Sequence, residues 1–299
     1  KVAGHRFESI TDKYRFIAGH VKLFGIAAMS KILAVSRSGF YDWRCRPESQ
    51  RSKEGKLLYL KINDAFEQAH RTPGSLKLMH HFRTLGEHYG KNRIARIMRK
   101  HGLKSVWRRK FRPPKTTHSS HKLPVSPNLL QQNFKADRPN QIWVSDITYL
   151  WSRSGWLYLC VIKDLFSARI VGWSISRSLH TTSVIQALEN AVRLRCPPPD
   201  LIFHSDQGIQ YCSHKFRNRL SDFQLTQSMS RRGNCYDNAP AESFHASLKM
   251  EFTNHQSFDG LEDARSAIFW YIECFYNRQR LHSRADYMSP REYEEKYAA

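Results

Sequence analysis

The chain has 299 residues with an apolar content of 40%, which is enough for two or three domains and at least one buried core. The net charge is +22, and nearly all of it lies in the N-terminal half. Residues 1–135 hold 29 Lys and Arg against 8 Asp and Glu, whereas residues 136–299 hold 19 against 18. This imbalance favours a polyanionic partner, above all nucleic acid, over a basic surface without such a partner.

The cysteine pattern and the apolar runs bear on the compartment of the protein. The six cysteines are scattered without a CxxC pair, which argues against a cysteine-based zinc site and suits a reducing cytosol. The longest apolar run, 156–162, is too short to span a bilayer, and no signal peptide is visible. We therefore expect a cytoplasmic protein. The chain begins with Lys1 rather than Met, which leaves open whether residues precede it.

The first helices of the chain form a candidate DNA-binding unit. Residues 25–33 have helical periodicity, and Ser36 is placed to cap a second helix over 37–46. Two short helices joined by a tight turn are typical of the helix-turn-helix motif. Arg37 and Arg44 of the second helix are then candidates for DNA contact. The alternative is an ordinary helical hairpin.

A second unit of the same kind follows in the sequence. One helix is predicted over 53–70 and another over 76–85, capped by Ser75. A third is predicted over 92–100 and ends at Gly102 in the C′ position. This unit is the second candidate for DNA binding.

The helix predicted over 92–100 has an apolar stripe and a basic outer surface. Ile94, Ile97 and Met98 share one face. The other faces carry four candidate DNA contacts, namely Arg93, Arg96, Arg99 and Lys100. A helix that reads a DNA groove needs this distribution, although a merely solvated charged face would have it too.

The segment 104–124 mixes basic residues with Pro, Ser and Thr. Trp107 and Phe111 lie among the charges, and Arg108 and Arg109 are candidate DNA contacts. The composition predicts a linker that tracks a phosphate backbone, or else a flexible spacer without a role of its own.

The pattern changes to strands from about residue 136. Three close-spaced antiparallel strands are predicted, followed by alternating helices and strands. The strands are predicted over 141–150, 156–166, 168–176, 201–205 and 225–230, and the helices over 181–195, 213–223, 238–252, 261–277 and a short segment after Pro290. This order predicts an α/β fold with a mixed five-stranded sheet covered by helices, and it resembles the ribonuclease-H-like fold.

Three acidic residues occupy chemically suggestive places in this pattern. Asp146 lies within the first strand, Asp206 ends the fourth, and Glu242 lies early in the helix after the fifth. If the first and fourth strands are neighbours, the helix can bring Glu242 to the two aspartates. Taken singly, a strand-end Asp is usually a turn former, and a Glu early in a helix usually favours the helix dipole.

Converging carboxylates repel one another unless cations balance them. Oxygen-only ligands favour Mg²⁺ or Mn²⁺ over zinc, so all three residues are candidate metal ligands as well as catalytic residues. Two such ions could activate an attacking oxygen and stabilise a leaving oxygen at a phosphodiester.

The spacing of these acids carries a family resemblance. Asp206 and Glu242 are separated by 35 residues, and this D-35-E spacing resembles the DDE transposase and retroviral integrase group. Within that group the chain closely resembles the IS3-family transposases of bacterial insertion sequences. The matching segments are WVSDITY (143–149), HSDQGIQY (204–211), SMSRRGNCYDNAPAESFHASLK (228–249) and YNRQRLHSRADYMSPREY (276–293).

The resemblance implies roles for individual residues. The catalytic carboxylates of the family fall on Asp146, Asp206 and Glu242, and its basic residue seven positions after the Glu falls on Lys249, for which the alternative is a solvated surface lysine. Arg231 and Arg232 of the preceding loop are further candidate DNA contacts. Of the other residues in these segments, Asn238 is expected to cap the catalytic helix or to act in catalysis, His204 to support the site, and Trp143 to lie in the core.

The resemblance also implies an activity and a domain order. A transposase of this family binds the terminal inverted repeats of its element, cleaves a 3′ end and joins it to a second phosphodiester, as a homodimer or larger synaptic complex on double-stranded DNA. We expect a helix-turn-helix-like segment at 1–50, a second such domain at 51–115, a basic linker at 116–135 and the catalytic core at 136–299.

Two other functions remain open from the sequence. One is a retroviral-type integrase, but the sequence lacks the spacing of that group's N-terminal His/Cys zinc module. The other is a catalytically silent DNA-binding regulator derived from a transposase. The presence of all three carboxylates argues against a silent regulator.

Overall fold

The computed structural model describes residues 7, 9–47, 49–106 and 123–298 of the chain. The chain divides into two compact units, 1–60 and 61–299. None of the helices in the described ranges combines the length and the apolar composition needed to cross a lipid bilayer.

The first unit is helical and has a small core of its own. Its helices are α1 (Ile10–His20), α2 (Ile26–Ile32) and α3 (Arg37–Cys45). Ile17, Met29 and Phe40 are buried between them. The side chain of Ser36 accepts a hydrogen bond of 3.2 Å from the Gly39 amide, so the predicted cap of α3 is confirmed.

Helix α4 (Gln50–Gln68) crosses the boundary between the units and is followed by α5 (Ser75–Thr84) and α6 (Lys91–Lys100). The prediction that Ser75 caps α5 is wrong. Gly74 is the N-cap residue, and no side chain makes a cap bond there. Its extended backbone, with ψ at 177°, starts the helix one residue earlier than the sequence suggested.

The end of α6 follows the prediction. Gly102 adopts a left-handed conformation with φ at 70°, directly after the C-cap residue His101. The Leu103 amide then donates to the Met98 carbonyl at 2.8 Å, which closes a Schellman motif.

The second unit contains the predicted mixed five-stranded sheet. Its strands are β1 (Ile142–Ser152), β2 (Gly155–Asp164), β3 (Ile170–Ser176), β4 (Ile202–Ser205) and β5 (Thr226–Met229). They lie in the order β3-β2-β1-β4-β5. β1 pairs antiparallel with β2, and β2 with β3, whereas β4 is parallel to both β1 and β5. This is the ribonuclease-H-like arrangement that the sequence predicted.

Helices cover both faces of the sheet. They are α7 (Thr181–Arg195), α8 (Ile209–Cys212), α9 (His214–Asp222), α10 (Ala239–Glu251), α11 (Leu261–Phe269) and α12 (Pro290–Tyr297). One buried cluster joins Trp143 to Leu188 and Phe216, as expected for a core tryptophan. A second cluster joins Val161 to Phe244. Strand β2 is continuously apolar and buried from Leu159 to Ile162, because helices cover both faces of the sheet there.

Two local features depart from the predicted elements. The four-residue helix α8 was not predicted, and the single helix predicted over 261–277 is an α-helix only as far as Phe269. Trp270–Tyr276 is a π-helix, in which hydrogen bonds span five residues rather than four. Tyr271 and Phe275 are buried in this wider turn. A 3.6-residue apolar periodicity does not reveal one extra residue in a turn.

The substitution Gly172→Ala should destabilise the second unit. A Cβ on Gly172 of β3 would lie 2.5 Å from the Ala187 carbonyl oxygen and 2.6 Å from the Ala191 Cβ of α7. Because backbone atoms cannot move aside cheaply, we expect the free energy of unfolding to fall by about 1–3 kcal/mol in urea denaturation. Gly55→Ala in α4 is the control, since its Cβ meets nothing within 4 Å. Equal losses in both variants would contradict this account.

Candidate active site

The parallel pairing of β1 with β4 sets the positions of the two aspartates. Ser145 of β1 lies opposite Ser205 of β4, and Asp146 and Asp206 are the next residue on each chain. The Asp146 carboxylate accepts a hydrogen bond of 2.9 Å from the Ile147 amide. The sheet therefore presents both carboxylates at the same step of its register.

Tyr211 contacts β1 next to Asp146 and was not identified from the sequence as a site residue. Its hydroxyl lies 2.8 Å from the Ser145 Oγ, and its ring is fully buried. Tyr211 belongs to α8, which directly follows the Asp206 segment. Its position at the end of HSDQGIQY was the only sequence signal that could have identified it.

Glu242 is presented by the first turn of α10, which begins with Ala239 and Pro240. The buried Lys163 ammonium donates to the Pro240 carbonyl at 3.0 Å, which fixes the start of this helix against β2. Asn238 is the N-cap residue, but its side chain makes no cap bond and its Oδ1 is buried without a partner. The predicted capping role is wrong because a 3₁₀ turn, Cys235–Asn238, runs directly into α10.

The three carboxylates act on one another electrostatically. Burial raises the pKa of Asp146 well above its usual range, and the negative charges of Asp206 and, less strongly, Glu242 raise it further. The pKa of Glu242 is also raised, by burial and then by the charge of Asp206. Such mutual effects require that the three groups lie close together.

His245 adjoins these acids and was not identified from the sequence. It lies three residues after Glu242 on α10, and its Nε2 is 3.6 Å from the Asp146 Oδ2, too far for a hydrogen bond. Both ring nitrogens are buried without a hydrogen-bond partner. Burial, followed by the charge of Lys249, lowers the pKa of His245 to about 3, so the ring is neutral near pH 7. The i, i+3 spacing from Glu242 was the available signal.

Lys249 is not a solvated surface lysine. Its residue is only 8% exposed, and its ammonium lies 4.8 Å from the centre of the Tyr149 ring. Burial lowers the pKa of Lys249, whereas the charge of Asp146 opposes that shift. A cation is therefore held beside the carboxylates at the far end of the same helix.

Asp237 organises the loop in front of α10. Its two carboxylate oxygens accept hydrogen bonds from the Arg231 guanidinium at 2.9 and 3.0 Å, and from Asn128 at 2.9 Å. The Arg231 hydrogen bonds, with a smaller effect of the one from Gln132, hold the pKa of Asp237 well below its usual range. The Asp237 carbonyl lies 2.9 Å from the His204 Nε2, and the other ring nitrogen of His204 lies 2.8 Å from the Ser228 Oγ. Both nitrogens are thus engaged in support of the loop.

The other candidate DNA contacts differ in exposure. On α6, Arg93 is half-buried, with its guanidinium carbon 6.0 Å from the centre of the Tyr89 ring. The exposed candidates are Arg37, Arg44, Arg96, Arg99, Lys100, Arg231 and Arg232. Arg108 and Arg109 lie outside the described residues. Arg231 combines exposure with its bonds to Asp237.

The donor chemistry at the carboxylates fits a hard divalent cation. Three carboxylates supply only oxygen ligands, and burial together with the negative charge of Asp206 raises the pKa of both Asp146 and Glu242, so a cation at this place would be stabilised. Among the described residues, no group of three or more His, Cys, Asp or Glu side chains stands in an arrangement that could hold a metal ion as it is. Asp146, Asp206 and Glu242 are the residues that would hold Mg²⁺ or Mn²⁺.

Comparisons with protein families agree with this organisation. Family models described as an integrase core domain match residues 136–235 and 242–297, and one described as an HTH-like domain matches residues 53–111. A 31 kDa protein of insertion element IS600 from Shigella sonnei, described as uncharacterised, is 43% identical over 269 residues. The match covers 90% of this chain and 98% of that protein.

A named transposase is similar over nearly the whole chain. Transposase InsF for insertion sequence IS3A from Escherichia coli (strain K12) is 40% identical over 289 residues, which are 96% of this chain and all of that protein. Among solved structures, the catalytic core domain of HTLV-2 integrase in complex with magnesium, in a trimeric form, is similar at 17% identity with a TM-score of 0.41. The similarity covers 53% of this chain and 98% of that one.

Asp146→Asn should reduce the dependence of folding stability on pH. The folded-state pKa of Asp146 lies above its ordinary value of 3.8, so the folded protein keeps a proton that the unfolded chain loses. The stability that this residue contributes is therefore present at low pH and is lost as pH rises towards the folded-state pKa. Because asparagine cannot ionise, the decline should be smaller in the variant. The measurement is the free energy of unfolding in urea, taken in the presence of EDTA at several pH values between pH 4 and pH 8.

The matched control is Asp222→Asn, which neutralises an exposed carboxylate on α9. In this variant the free energy of unfolding should decline with rising pH as steeply as it does in the parent protein. A decline that is equally steep in Asp146→Asn and in the parent would refute the electrostatic description of the site.

Proposed function

Because the chain belongs to the family of IS3-type insertion-sequence transposases, we propose that it binds the terminal inverted repeats of its own element and performs metal-dependent 3′-end cleavage and strand transfer. The observation that carries this proposal is the parallel register of β1 with β4, which places Asp146 and Asp206 next to each other, with Glu242 in the first turn of α10 close enough to act electrostatically on Asp146. A transposase needs such a carboxylate cluster to act on a phosphodiester without a covalent protein–DNA intermediate.

The three carboxylates are the catalytic and metal-binding residues of this proposal. Two Mg²⁺ or Mn²⁺ ions held by them would activate the attacking oxygen and stabilise the leaving oxygen. The chain itself supplies orientation. Asp146 and Asp206 are fixed by the sheet register, and Glu242 approaches from an exposed helix turn that DNA can reach. Lys249 lies beside Asp146 and would hold a neighbouring phosphate of the bound strand.

The N-terminal part of the chain is proposed to hold the element ends. The four segments 1–50, 51–115, 116–135 and 136–299 would act as two helix-turn-helix-type modules, a basic linker and the catalytic core. Helix α6 is the best-supported groove reader, because Ile94 and Met98 are buried while Arg96 and Arg99 are exposed. The proposed contacts are Arg37, Arg44, Arg93, Arg96, Arg99, Lys100, Arg108, Arg109, Arg231, Arg232 and Lys249.

Transposition requires that two element ends meet, so we propose a homodimer or larger synaptic complex as the active form. The bacterial cytosol is the proposed compartment, since the substrate is chromosomal DNA and the described cysteines are free thiols. A catalytically silent DNA-binding regulator is the competing outcome of the first experiment below.

Asp206→Asn should abolish the chemical steps while leaving DNA binding intact. Removing a metal ligand is expected to reduce cleavage and joining by more than about 100-fold, beyond the effect of losing an outer-shell partner. The assay uses labelled duplexes carrying the element ends, with Mg²⁺, Mn²⁺ or EDTA. The exposed Asp222→Asn variant is the matched control and should retain full activity. Equal end binding by all proteins without any cleavage would favour the silent regulator.

The double substitution Arg96→Ala with Arg99→Ala should weaken DNA binding and its dependence on salt. Each lost phosphate contact removes about 0.9 from the slope of log K against log salt concentration, so the slope should fall by about 2. Fluorescence anisotropy with an element-end duplex between 50 and 300 mM salt measures this change.

Arg265→Ala is the control for this measurement, because Arg265 is an exposed arginine of α11 outside the proposed DNA surface. Its slope should equal that of the parent protein. An unchanged slope in the double variant would exclude α6 as a phosphate-contacting helix.

A further inference from the structure

A groove lies beside the carboxylates, along the part of β1 that extends beyond its partner β4. The ladder between β1 and β4 ends at Ser145, whereas β1 continues to Ser152. At its far end the Arg153 amide donates to the Phe258 carbonyl at 2.8 Å, which anchors the segment after α10 against the strand. Between these points a cavity of about 460 Å³ opens, a volume typical of a ligand site.

The walls of this groove are unusually aromatic. Tyr149, Trp151 and Trp156 line it, and the Trp156 ring centre lies 5.2 Å from that of Tyr149 and 4.9 Å from that of Trp151. Trp151 is 61% exposed and Trp156 is 50% exposed. Exposed tryptophans clustered in a concave site indicate a binding surface rather than a core.

The groove also contains a cation and lies near the carboxylates. Lys249 lines it, and the same lysine acts electrostatically on Asp146. Tyr149 follows Asp146 by three residues on β1, so the two side chains leave opposite faces of the strand. Lys249, whose ammonium lies 4.8 Å from the centre of the Tyr149 ring, is the residue that joins the groove to the carboxylates.

We infer that this aromatic groove binds an unpaired nucleobase of the DNA strand whose phosphodiester lies at the carboxylates. The inference rests on the proposed function, since it takes DNA as the substrate of the same site. The indole and phenol rings stack on the base, and Lys249 contacts the adjoining phosphate. A paired base has both faces covered by its neighbours in the duplex, so only an unpaired base offers a free face to these rings.

The chemistry of the groove favours this occupant over a protein segment. An aromatic surface alone would suit either, but a buried lysine at the catalytic end matches a phosphate. Stacking accepts every base, so the groove contributes affinity for an unpaired end without reading its sequence. The site therefore favours DNA whose end near the cleavage point is already open.

The test compares a fully paired element-end duplex with the same duplex carrying a three-nucleotide unpaired tail at the cleavage point. The tail contains 2-aminopurine, whose fluorescence is quenched when the base stacks on an indole. The parent protein should bind the tailed duplex more tightly and quench the probe. Trp151→Ala and Trp156→Ala should each weaken binding of the tailed duplex by about 5- to 150-fold, the range of one lost stacking contact. Their affinity for the paired duplex should not change.

Two further variants separate stacking from folding. Trp151→Phe keeps an aromatic face and should restore most of the preference for the tail. Phe269→Ala removes a 52% exposed ring of α11 outside the groove and should behave as the parent protein does. Equal affinity for both duplexes in the parent protein with an unquenched probe, or quenching that survives both alanine substitutions, would overturn the inference.

The outcomes also separate this inference from the proposed function. The parent protein could cleave in a metal-dependent way without preferring the tailed duplex and without quenching the probe. That result would support the transposase function and refute base binding by the groove. Tail binding that depends on the tryptophans, without any cleavage, would keep the groove and remove the catalytic proposal. If the alanine variants change only the oligomeric state in sedimentation, the groove accepts a second copy of the chain, and the inference fails.

Discussion

The parallel pairing of β1 with β4 is the constraint on which the rest of the site depends. It joins residues about 60 positions apart in sequence and aligns Ser145 with Ser205, so that the next residue on each chain is an aspartate. A shift of one residue in this register would turn one carboxylate to the opposite face of the sheet. Tyr211 reinforces the register by holding Ser145 from the adjoining short helix. The catalytic geometry is therefore built on backbone pairing rather than on flexible loops.

Helix α10 is held in place at both of its ends, by the sheet at its start and by the C-terminal segment at its end. Lys163 binds the Pro240 carbonyl at its start. At its end the buried Arg280 guanidinium binds both Glu251 oxygens, at 2.6 and 2.7 Å, and the Tyr271 hydroxyl binds the same carboxylate at 2.9 Å. A buried charge pair of this kind is satisfied only with well-placed partners, so it selects one position for the helix. Glu242 and Lys249 are thereby held at fixed separations from Asp146.

Much of this organisation could be predicted from the sequence, and the reasons are local. Short apolar runs joined by turn residues predicted the strands, and the spacing of Asp206 and Glu242 pointed to a shared site. The π-helix at Trp270–Tyr276 was beyond prediction because its apolar pattern is nearly that of an α-helix. The role of Lys163 was also beyond prediction, since a lysine inside an apolar strand gives no sign of the carbonyl that it meets in three dimensions. The aromatic groove likewise forms only when Trp151 and Trp156 approach across the hairpin.

Asp237 has a consequence for the interpretation of genetic screens. It belongs to the same acidic motif as Glu242, yet its oxygens are occupied by Arg231, Asn128 and Gln132, which come from separate parts of the chain. Its loss would leave the side chains of Arg231, Asn128 and Gln132 without their shared acceptor and would loosen the loop that His204 also holds. An inactive allele at this position would therefore report a misfolded protein, although an inventory of essential acids would count it beside the three proposed catalytic residues.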